Sequence, residues 1–380
     1  MCINQFKNKA EYLMVRGKAL NVLPSYDPKA QELLSKAVKL DPKLVEAWVQ
    51  LGEVYWKNND VEAAKNCFLG ALSHSQDKAA LRNLSIVLRQ IGKTPEEKRK
   101  LIEESIDKAK TALQLDIKDG TSWFILGNAY LSLFFAAGQN SKVLKLCMSA
   151  YQQAEADSVC KNNPDLHFNR ATLHKYMEDY DIALEGFSKA ATLNPTWEEA
   201  ALQEANIISY LHQVSEFIRT KGKIRAKKLT NMLDSIKDSD LGLFGGGSYT
   251  SSKGEKIKLE HVLLKDLSPG YNSEKVVIGK VVCSVTNDEP MPFSFCLVDK
   301  AGTCCSITVY NIIPGYGVKI GDSVAIAEPL LKNVDFTYKN KRFTFQNIRI
   351  DSPVVMVVNG RKQGLDKEAP SVLSFNVMSE

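Results

Sequence analysis

The feature that most constrains this 380-residue chain is a regularly spaced set of large apolar and small residues in AWVQLGEVYWKNNDVEAAKNCFLGAL, residues 47–72. The set recurs at intervals of three and four, which is the spacing of one helical face. Its members are Trp48, Leu51, Gly52, Tyr55, Ala64, Phe68 and Ala71. The spacing predicts two antiparallel helices, with small residues where the helices approach closely.

The same pattern returns elsewhere in the first half of the chain. It is the pattern of the tetratricopeptide repeat, W-x2-L-G-x2-Y followed by A-x3-F-x2-A, with a period of 34 residues. Matching positions in other copies are Ala30, Leu34, Ala37, Pro42, Trp123, Leu126, Gly127, Tyr130, Ala171, Ala183, Phe187, Ala190 and Pro195. One unit cannot bury its apolar face alone, so stacked copies form a solenoid. We therefore predict an α-solenoid over residues 1–218.

The repeat array is irregular in two places. In LRNLSIVLRQIG the phase continues, but the pattern positions hold Arg82, Ser85, Ile86 and Arg89, and the polar insertion GKTPEEKRK follows. A second insertion, FFAAGQNSK, follows Tyr130. Insertions in solenoids usually map to loops, so both are predicted to lie outside the helices.

The first helix of each unit lines the concave wall of such a solenoid, where extended peptides bind. Asp165 and Glu199 occupy the same wall position 34 residues apart, and Asn128 and Lys175 also fall on the wall. Arg89 lies toward the other end, and a guanidinium can hold a carboxylate bidentately. This wall suits a short peptide that carries both charges. The alternative is that these are solvated charges or intramolecular partners.

A basic segment, RTKGKIRAKKLTNM, follows the solenoid. It contains six cations and no acid: Arg219, Lys221, Lys223, Arg225, Lys227 and Lys228. Such a run favours contact with nucleic-acid phosphates, through shape rather than base sequence, and Lys223, Arg225, Lys227 and Lys228 are the candidate contacts. A solvated linker is the alternative. SDLGLFGGGSYTSSKGEK reads as a flexible connection, so residues 219–254 are predicted as a basic helix and linker.

Beyond this linker the hydrophobic period becomes that of β-strands. Six short runs rich in β-branched and aromatic residues are EKVVIGKVVCSV, PFSFCLVDK, CCSITVYNI, GDSVAIAEP, RFTFQNIRI and PVVMVVNG. They predict a small closed barrel of the oligonucleotide/oligosaccharide-binding (OB) type over residues 255–362, with a disordered tail at 363–380. Phe293, Phe295, Tyr310 and Phe345 can stack bases if exposed, but core packing is favoured. The fold class is α + β and multidomain.

Composition and motifs exclude several classes of protein. The net charge of +5 is too small to make the whole chain a nucleic-acid binder, and no apolar run is long enough to span a bilayer. The start lacks a secretory signal, which places the chain in the cytoplasm or nucleus. The eight cysteines form no C-x-x-C pair and are expected to be reduced. No nucleotide, hydrolase or metalloprotease motif occurs, so no enzyme, metal or cofactor is expected.

The chain resembles the tetratricopeptide repeat protein 5 family, also called stress-responsive activator or Strap, over nearly its whole length. The matching stretches are GKALNV, LLSKAVKL, VEAWVQLGEVYW, NLSIVLRQ, NPDLHFNRATLHKY, ALEGFSKAA, VYNI and GDSVAIAEP. Members carry an acidic helical extension before the region that matches Ala10, whereas this chain begins almost within a repeat.

The resemblance implies two lines of function. The first is recognition of the amino-terminal Met-Arg-Glu-type peptide of nascent tubulin at the ribosome, followed by tubulin mRNA decay through an adaptor and a deadenylase complex. The second is a nuclear role as a cofactor of acetyltransferase coactivators at chromatin in stress and DNA-damage responses. By motif match, the groove arginine is Arg89 and the groove acids are Asp165 and Glu199. The ribosome-contacting cations fall on Arg225 and Lys227.

Overall fold

The structure is a computed structural model that describes residues 8–250, 254, 256–285 and 292–369. The chain forms two compact units. The first, here called the helical unit, comprises residues up to 177 together with 189–195. The second, the barrel unit, comprises residues 178–188 and those from 196 onward through the β-rich region. No helix in the described part of the chain is long and apolar enough to cross a membrane.

Twelve α-helices occur among the described residues, and Asp, Asn or Thr caps many of them. The side chains of Asn8, Asp27, Asp60, Asp77, Thr94, Asp119 and Asn140 accept hydrogen bonds from backbone N–H groups of the first turn, which stabilises a helix start. The helices are α1 Lys9–Leu20, α2 Pro28–Leu40, α3 Val45–Lys57, α4 Val61–His74, α5 Lys78–Leu88, α6 Pro95–Leu115, α7 Gly120–Ala136, α8 Ser141–Ala156, α9 Pro164–Met177, α10 Tyr180–Leu193, α11 Glu198–Thr220 and α12 Ala226–Asp234.

The helices of the helical unit pair as hairpins through their small residues, as the repeat pattern predicts. A Cβ added to a glycine on the first helix would lie 2.5 Å from a large side chain on the second, for Gly17 with Leu34, Gly52 with Phe68 and Gly127 with Tyr151. This separation is below any ordinary contact, so only glycine permits the observed approach. Phe68 and Tyr151 are fully buried by it. The solenoid prediction is confirmed.

Both insertions are partly helical, so the prediction that they lie wholly outside the helices is wrong, although residues 137–140 of the second do form the loop between α7 and α8. The polar segment GKTPEEKRK supplies the first turns of α6, with Thr94 as the cap and Pro95 at the first position. The second insertion extends α7 to Ala136. Its Phe134 and Phe135 are buried. Apolar burial and a good cap therefore outweigh the tendency of solenoid insertions to form loops.

The barrel unit contains one curled sheet, which forms a half-barrel, and one separate two-stranded ribbon. The sheet order is β12-β11-β8-β5-β6-β7-β10-β9-β4, with β3 paired to β5 and a parallel β7–β10 pair. The ribbon pairs β1 with β2. The strands are β1 Ser248–Thr250, β2 Lys256–Lys258, β3 Glu260–His261, β4 Gly270–Tyr271, β5 Lys275–Val285, β6 Phe293–Val298, β7 Cys304–Val309, β8 Ser323–Ala327, β9 Leu330–Tyr338, β10 Lys341–Ile350, β11 Met356–Val358 and β12 Arg361–Lys362.

The OB-type prediction is confirmed, with two differences in detail. All six predicted runs contain strands, but β9, residues 330–338, was missed because Lys332, Asn333 and Asp335 interrupt its apolar pattern. The expected closure is also incomplete, since no strand pair within the described residues joins the β12 and β4 ends of the sheet.

The segment interpreted as a flexible connection is largely ordered. Residues 238–246 form two short 3₁₀ stretches separated by a kink at Gly242, and Leu241 and Phe244 are buried against the half-barrel. Residues 251–253 and 255 of that segment lie outside the described residues. In the predicted tail, residues 363–369 are also packed: Gln363 is buried, and the backbone N–H of Ala369 donates to the Asn311 carbonyl at 2.8 Å. The rest of the tail is outside the described range.

Candidate functional site

Polar side chains connect successive first helices of the helical unit. The Glu53 carboxylate on α3 accepts hydrogen bonds from Asn83 on α5 at 3.0 Å and from Asn21, which caps α1, at 3.3 Å. Lys57 Nζ donates to Asn21 Oδ1 at 2.9 Å. Burial raises the pKa of Glu53, and the hydrogen bond from Asn83 and the charge of Lys57 oppose that shift. The first helices of three neighbouring hairpins therefore present their polar residues to the same side.

Arg89 follows Asn83 by six residues, at the end of α5. It caps the C-terminus of α5, is half-buried, and donates from Nε to the Ser85 carbonyl at 3.3 Å. The adjacent Gln90 accepts a hydrogen bond from Trp56 Nε1 on α3 at 3.0 Å. The residue after Arg89 is therefore tied to the preceding hairpin.

The other degenerate positions of the same repeat are structural. Arg82 occupies the position of the pattern tryptophan, and its Nη1 lies 3.0 Å from Asp119 Oδ2. The buried Ser85 and Ser105 hydroxyls are 2.9 Å apart. These polar pairs join α5 to the start of α7 and to α6 in place of aromatic packing.

Asn128 has a clear packing role on α7. It is 2% exposed, and its Oδ1 accepts hydrogen bonds from Tyr151 on α8 at 2.8 Å and from Asn169 on α9 at 3.0 Å. Asp165 lies in the first turn of α9 and is half-buried. An acid at that position is stabilised by the helix dipole. Asn128 thus holds three helices together around the wall that Asp165 and Arg89 were predicted to share.

Glu199 belongs to the other unit. It lies in the first turn of α11, and its Oε1 accepts a hydrogen bond from Gln203 at 2.8 Å. Arg89, Asn128 and Asp165 lie in the helical unit, whereas Glu199 lies in the barrel unit. Their assignment to one peptide-binding wall stays a prediction.

The basic segment begins with a tight turn at the end of α11. Lys221, Gly222 and Lys223 all have positive φ, of 50°, 65° and 59°. A Cβ on Gly222 would lie 2.4 Å from the Val282 carbonyl oxygen. Glycine is therefore required both by the backbone conformation and by the close approach of the turn to β5.

The rest of the basic segment is amphipathic and rests on the half-barrel. Leu229, Met232 and Leu233 of α12 pack with the buried strand residues Val282, Cys283, Cys296 and Val298. The opposite side is exposed and basic. All four predicted contacts, Lys223, Arg225, Lys227 and Lys228, are exposed. Among the described residues no carboxylate lies within ion-pairing distance of them, so this surface is a fixed array of available cations.

Two further cations, Lys221 and Lys300, adjoin this array. Lys221 belongs to the basic run but was not among the candidate contacts, and Lys300 was not identified from the sequence. A Cβ on Gly302 would lie 3.3 Å from Lys221 Nζ, so Lys221 reaches the turn between β6 and β7. Lys300 is exposed on that turn. Asp299 fixes the turn by accepting backbone hydrogen bonds from Thr303 at 2.9 Å and Leu264 at 2.8 Å. Nothing local in the sequence indicates Lys300, because only the fold brings it near residue 221.

The aromatic residues considered for base stacking are mainly core. Phe295, Tyr310 and Phe345 are buried. Phe293 is half-buried, with its ring centroid 5.8 Å from that of Phe295. The core interpretation is confirmed for the three buried rings. The three buried rings are not exposed for stacking, whereas the four basic side chains of the adjoining segment are exposed.

Most of the cysteines, and His167, are buried packing residues. The seven cysteines in the described part of the chain are free, and all but Cys304 are buried. His167 is buried and hydrogen-bonds through Nε2 to the Lys161 carbonyl at 2.8 Å. Within the described ranges, no group of three or more His, Cys, Asp or Glu side chains has an arrangement suited to a metal ion.

A tetratricopeptide-repeat solenoid followed by an OB-type half-barrel defines a repeat adaptor, a scaffold that binds proteins or peptides. Residues 258–372 match the model of the tetratricopeptide repeat protein 5 OB fold domain, and residues 28–85 match a tetratricopeptide repeat model. The chain is 50% identical over 380 residues to tetratricopeptide repeat protein 5 of Bos taurus and of Homo sapiens, covering 100% of this chain and 86% of each relative. The chain therefore belongs to the tetratricopeptide repeat protein 5 family.

Among solved structures, a thermophilic tetratricopeptide repeat protein of Thermus thermophilus is similar, with a TM-score of 0.44 and 20% identity. The match covers 52% of this chain and 98% of that one. Neither matched family model describes an enzyme.

Proposed function

We propose that this chain is a non-enzymatic adaptor that binds the N-terminal peptide of nascent tubulins at the ribosome and triggers co-translational decay of tubulin mRNA. Decay would follow from recruitment of an mRNA-decay adaptor and a deadenylase complex. Family membership motivates the proposal. The observation that carries the ribosome-binding part is the exposed array of Lys223, Arg225, Lys227 and Lys228, fixed on the half-barrel.

The peptide step uses opposite charges at different places along the wall. Arg89 binds the carboxylate of a Met-Arg-Glu-type peptide, because a guanidinium offers two parallel N–H donors. Asp165 and Glu199 bind the peptide's cationic groups. Asn128 supports this wall from within, through its hydrogen bonds to Tyr151 and Asn169.

The ribosome step uses phosphate contacts. A cation array without base-reading side chains binds RNA through its backbone, and such binding weakens with salt because counterions are released. The α12 surface has this chemistry.

Replacement of Arg89 by alanine tests the peptide step. Arg89→Ala should abolish crosslinking of the full chain to ribosome-bound tubulin nascent chains, while co-sedimentation with empty ribosomes is unchanged. The matched control is Arg99→Ala, because Arg99 is an exposed arginine on α6 that pairs with Glu103 at 3.1 Å. Nascent-chain crosslinking that survives in Arg89→Ala would reject the assignment.

Charge reversal on α12 tests the ribosome step. The double variant Arg225→Glu, Lys227→Glu should weaken co-sedimentation with ribosomes and reduce the magnitude of the log Kd against log salt slope by about 2, one per lost phosphate contact. The double variant Lys319→Glu, Lys362→Glu changes net charge equally at exposed barrel positions and serves as the control. Equal effects of the two double variants would show that only net charge matters.

The alternative function is that of a nuclear cofactor of acetyltransferase-dependent transcription, in which the half-barrel binds DNA. The proposed localisation is therefore cytoplasmic with a nuclear pool. Burial of Phe295, Tyr310 and Phe345 favours phosphate contact over base recognition. The full chain should shift duplex DNA only through the α12 cations. A sequence-preferring shift that persists in the Arg225→Glu, Lys227→Glu variant would support the nuclear alternative.

A further inference from the structure

The helical unit has a cleft that the proposed peptide wall does not use. It lies between α6 and α8 and measures about 460 Å³, within the range of roughly 300–1,000 Å³ of ligand pockets. Trp123, Leu126 and Tyr130 of α7 form its floor. These residues share one face of α7, whereas Asn128 lies two positions from Leu126, about 200° around the helix. The cleft is therefore on the opposite side of α7 from Asn128.

The cleft is apolar and open to solvent. Ile117 on one rim is 62% exposed and Leu146 on the other is 48% exposed. Trp123 Nε1 donates to the Ile117 carbonyl at 2.8 Å, which fixes the floor to the rim. An exposed apolar surface of this kind marks an interaction site when it is preformed and has polar residues at its edges.

The edges of the cleft are basic. Lys110 lines the cleft, and three more exposed lysines follow or precede its lining residues in sequence: Lys118 comes directly after Ile117, and Lys142 and Lys145 come one turn and one residue before Leu146 on α8. Lys110 Nζ lies 6.0 Å from the centroid of the Tyr130 ring on the floor. No carboxylate in the described part of the chain lies within ion-pairing distance of these four side chains.

The nearby acids cancel only part of this charge. Glu103 pairs with Arg99, Glu104 with Lys108 and Asp116 with Lys78. Asp107, one turn before Lys110 on α6, offsets one lysine, and the charge of Lys118 also helps to lower the pKa of Asp116. The four lysines outnumber the acid that has no basic partner of its own, so the local charge is positive around an apolar floor. A basic or neutral peptide would leave the lysines uncompensated, whereas an acidic one would pair with them.

We propose that this cleft, here called the outer cleft, binds an acidic amphipathic helix from a partner protein. The two ridges formed by α6 and α8 flank an apolar floor, which suits a helix that inserts residues i, i+3 or i+4, and i+7. The partner's carboxylates then face the four lysines. The site lets the chain hold a second protein while the wall that carries Arg89 is occupied, so the inference goes beyond the proposed function and does not depend on it.

A displayed peptide library tests the inference with the full-length chain as bait. Each peptide has 16 residues, with leucine or phenylalanine at i, i+3, i+4 and i+7 and a random choice of Glu, Lys, Gln or Ser elsewhere. We expect the selected peptides to be enriched in Glu over Lys. We also expect a synthetic copy of the best peptide to lose at least tenfold in affinity for Leu146→Glu and for the double variant Lys110→Glu, Lys145→Glu.

Two controls distinguish binding in the outer cleft from non-specific apolar binding and from binding at the proposed peptide wall. Leu69→Glu introduces the same charge at another exposed leucine, on α4, and should leave affinity unchanged. Arg89→Ala should also leave it unchanged. Selection of lysine-rich or charge-neutral peptides, or equal loss of affinity in Leu146→Glu and Leu69→Glu, would overturn the proposal.

Discussion

Glu178 shows how a single buried residue organises the barrel unit. Its side chain is 0% exposed, and it accepts hydrogen bonds from Tyr310 at 3.1 Å and from Asn347 at 2.9 Å. Arg349 Nη1 lies 3.6 Å away, and the guanidinium covers the Tyr310 ring at 3.9 Å. Burial raises the pKa of Glu178 above its usual value, and the charge of Arg349 opposes the shift. Folding therefore makes protonation of Glu178 easier than it is in the unfolded chain.

This shift predicts that the stability of the folded chain depends on pH, and that the substitution Glu178→Gln removes this dependence. Because the pKa is raised in the folded state, the contribution of Glu178 to stability is present below its unfolded pKa and is lost as pH rises through its folded pKa. Relative to Glu178→Gln, the natural chain should lose stability with rising pH, by about 1.4 kcal/mol per pH unit inside that window. Urea unfolding at several pH values, followed by near-ultraviolet circular dichroism, measures the difference. The opposite trend would mean that attraction to Arg349 outweighs burial.

At the scale of elements, the α11–α12 turn and the β6–β7 turn form one basic surface from two distant parts of the chain. The positive φ angles of Lys221 and Lys223 and the close approach of Gly222 to β5 fix the first turn. Asp299 fixes the second. Because the backbone of both turns is held in place, the positions from which these side chains reach phosphates are set by the fold, so their placement matters as well as their number.

Lys300 is therefore predicted to act with the α12 cations. Lys300→Glu should weaken co-sedimentation with ribosomes and reduce the magnitude of the salt slope by about 1. Lys319→Glu, at an exposed position on a different turn, is the matched control. If the two single variants have the same salt slope, Lys300 is not part of the binding surface.

At the scale of the whole molecule, the compact units do not follow the helix-to-strand change in the sequence. Residues 178–188 and α11 belong to the barrel unit, although they continue the helical repeat. Tyr210 hydrogen-bonds Ser294 at 3.1 Å, and Tyr338 hydrogen-bonds Glu204 at 2.9 Å. The predicted limits 1–218, 219–254, 255–362 and 363–380 stay predictions, and a fragment experiment tests the first of them.

A barrel fragment that starts at residue 178 should be more stable than one that starts at residue 219. The shorter fragment loses the Glu178 carboxylate, which accepts hydrogen bonds from Tyr310 and Asn347, and leaves Arg349 paired with Asp351 but without Glu178. It also loses the α11 side chains that cover the sheet. Urea midpoints of the two fragments measure the difference. Equal midpoints would place the boundary at 218, as the sequence predicts.

Much of the fold follows directly from sequence patterns. The repeat spacing identifies the hairpins because close helix packing requires a glycine opposite Phe68 and another opposite Tyr151. That requirement appears in the sequence as a glycine at a fixed position of the repeat. Short runs rich in β-branched and aromatic residues, separated by turns, identify six strands because those residue types favour extended backbone. The strand β9 was missed because its polar residues share the strand with buried ones, so neither a continuous apolar run nor a clear alternation marks it.

The sequence by itself determined the repeat class, the OB-type region and the basic run, because each depends on neighbours along the chain. Only the tertiary structure decided that much of the two insertions is helical, that the glycine-rich segment packs on the half-barrel, and that the turn carrying Lys300 meets Lys221. It also decided that Asn128 is enclosed by α8 and α9 and that Glu178 meets Arg349. These features depend on contacts between residues far apart in sequence, and burial of apolar surface and pairing of buried polar groups determine which of those contacts form.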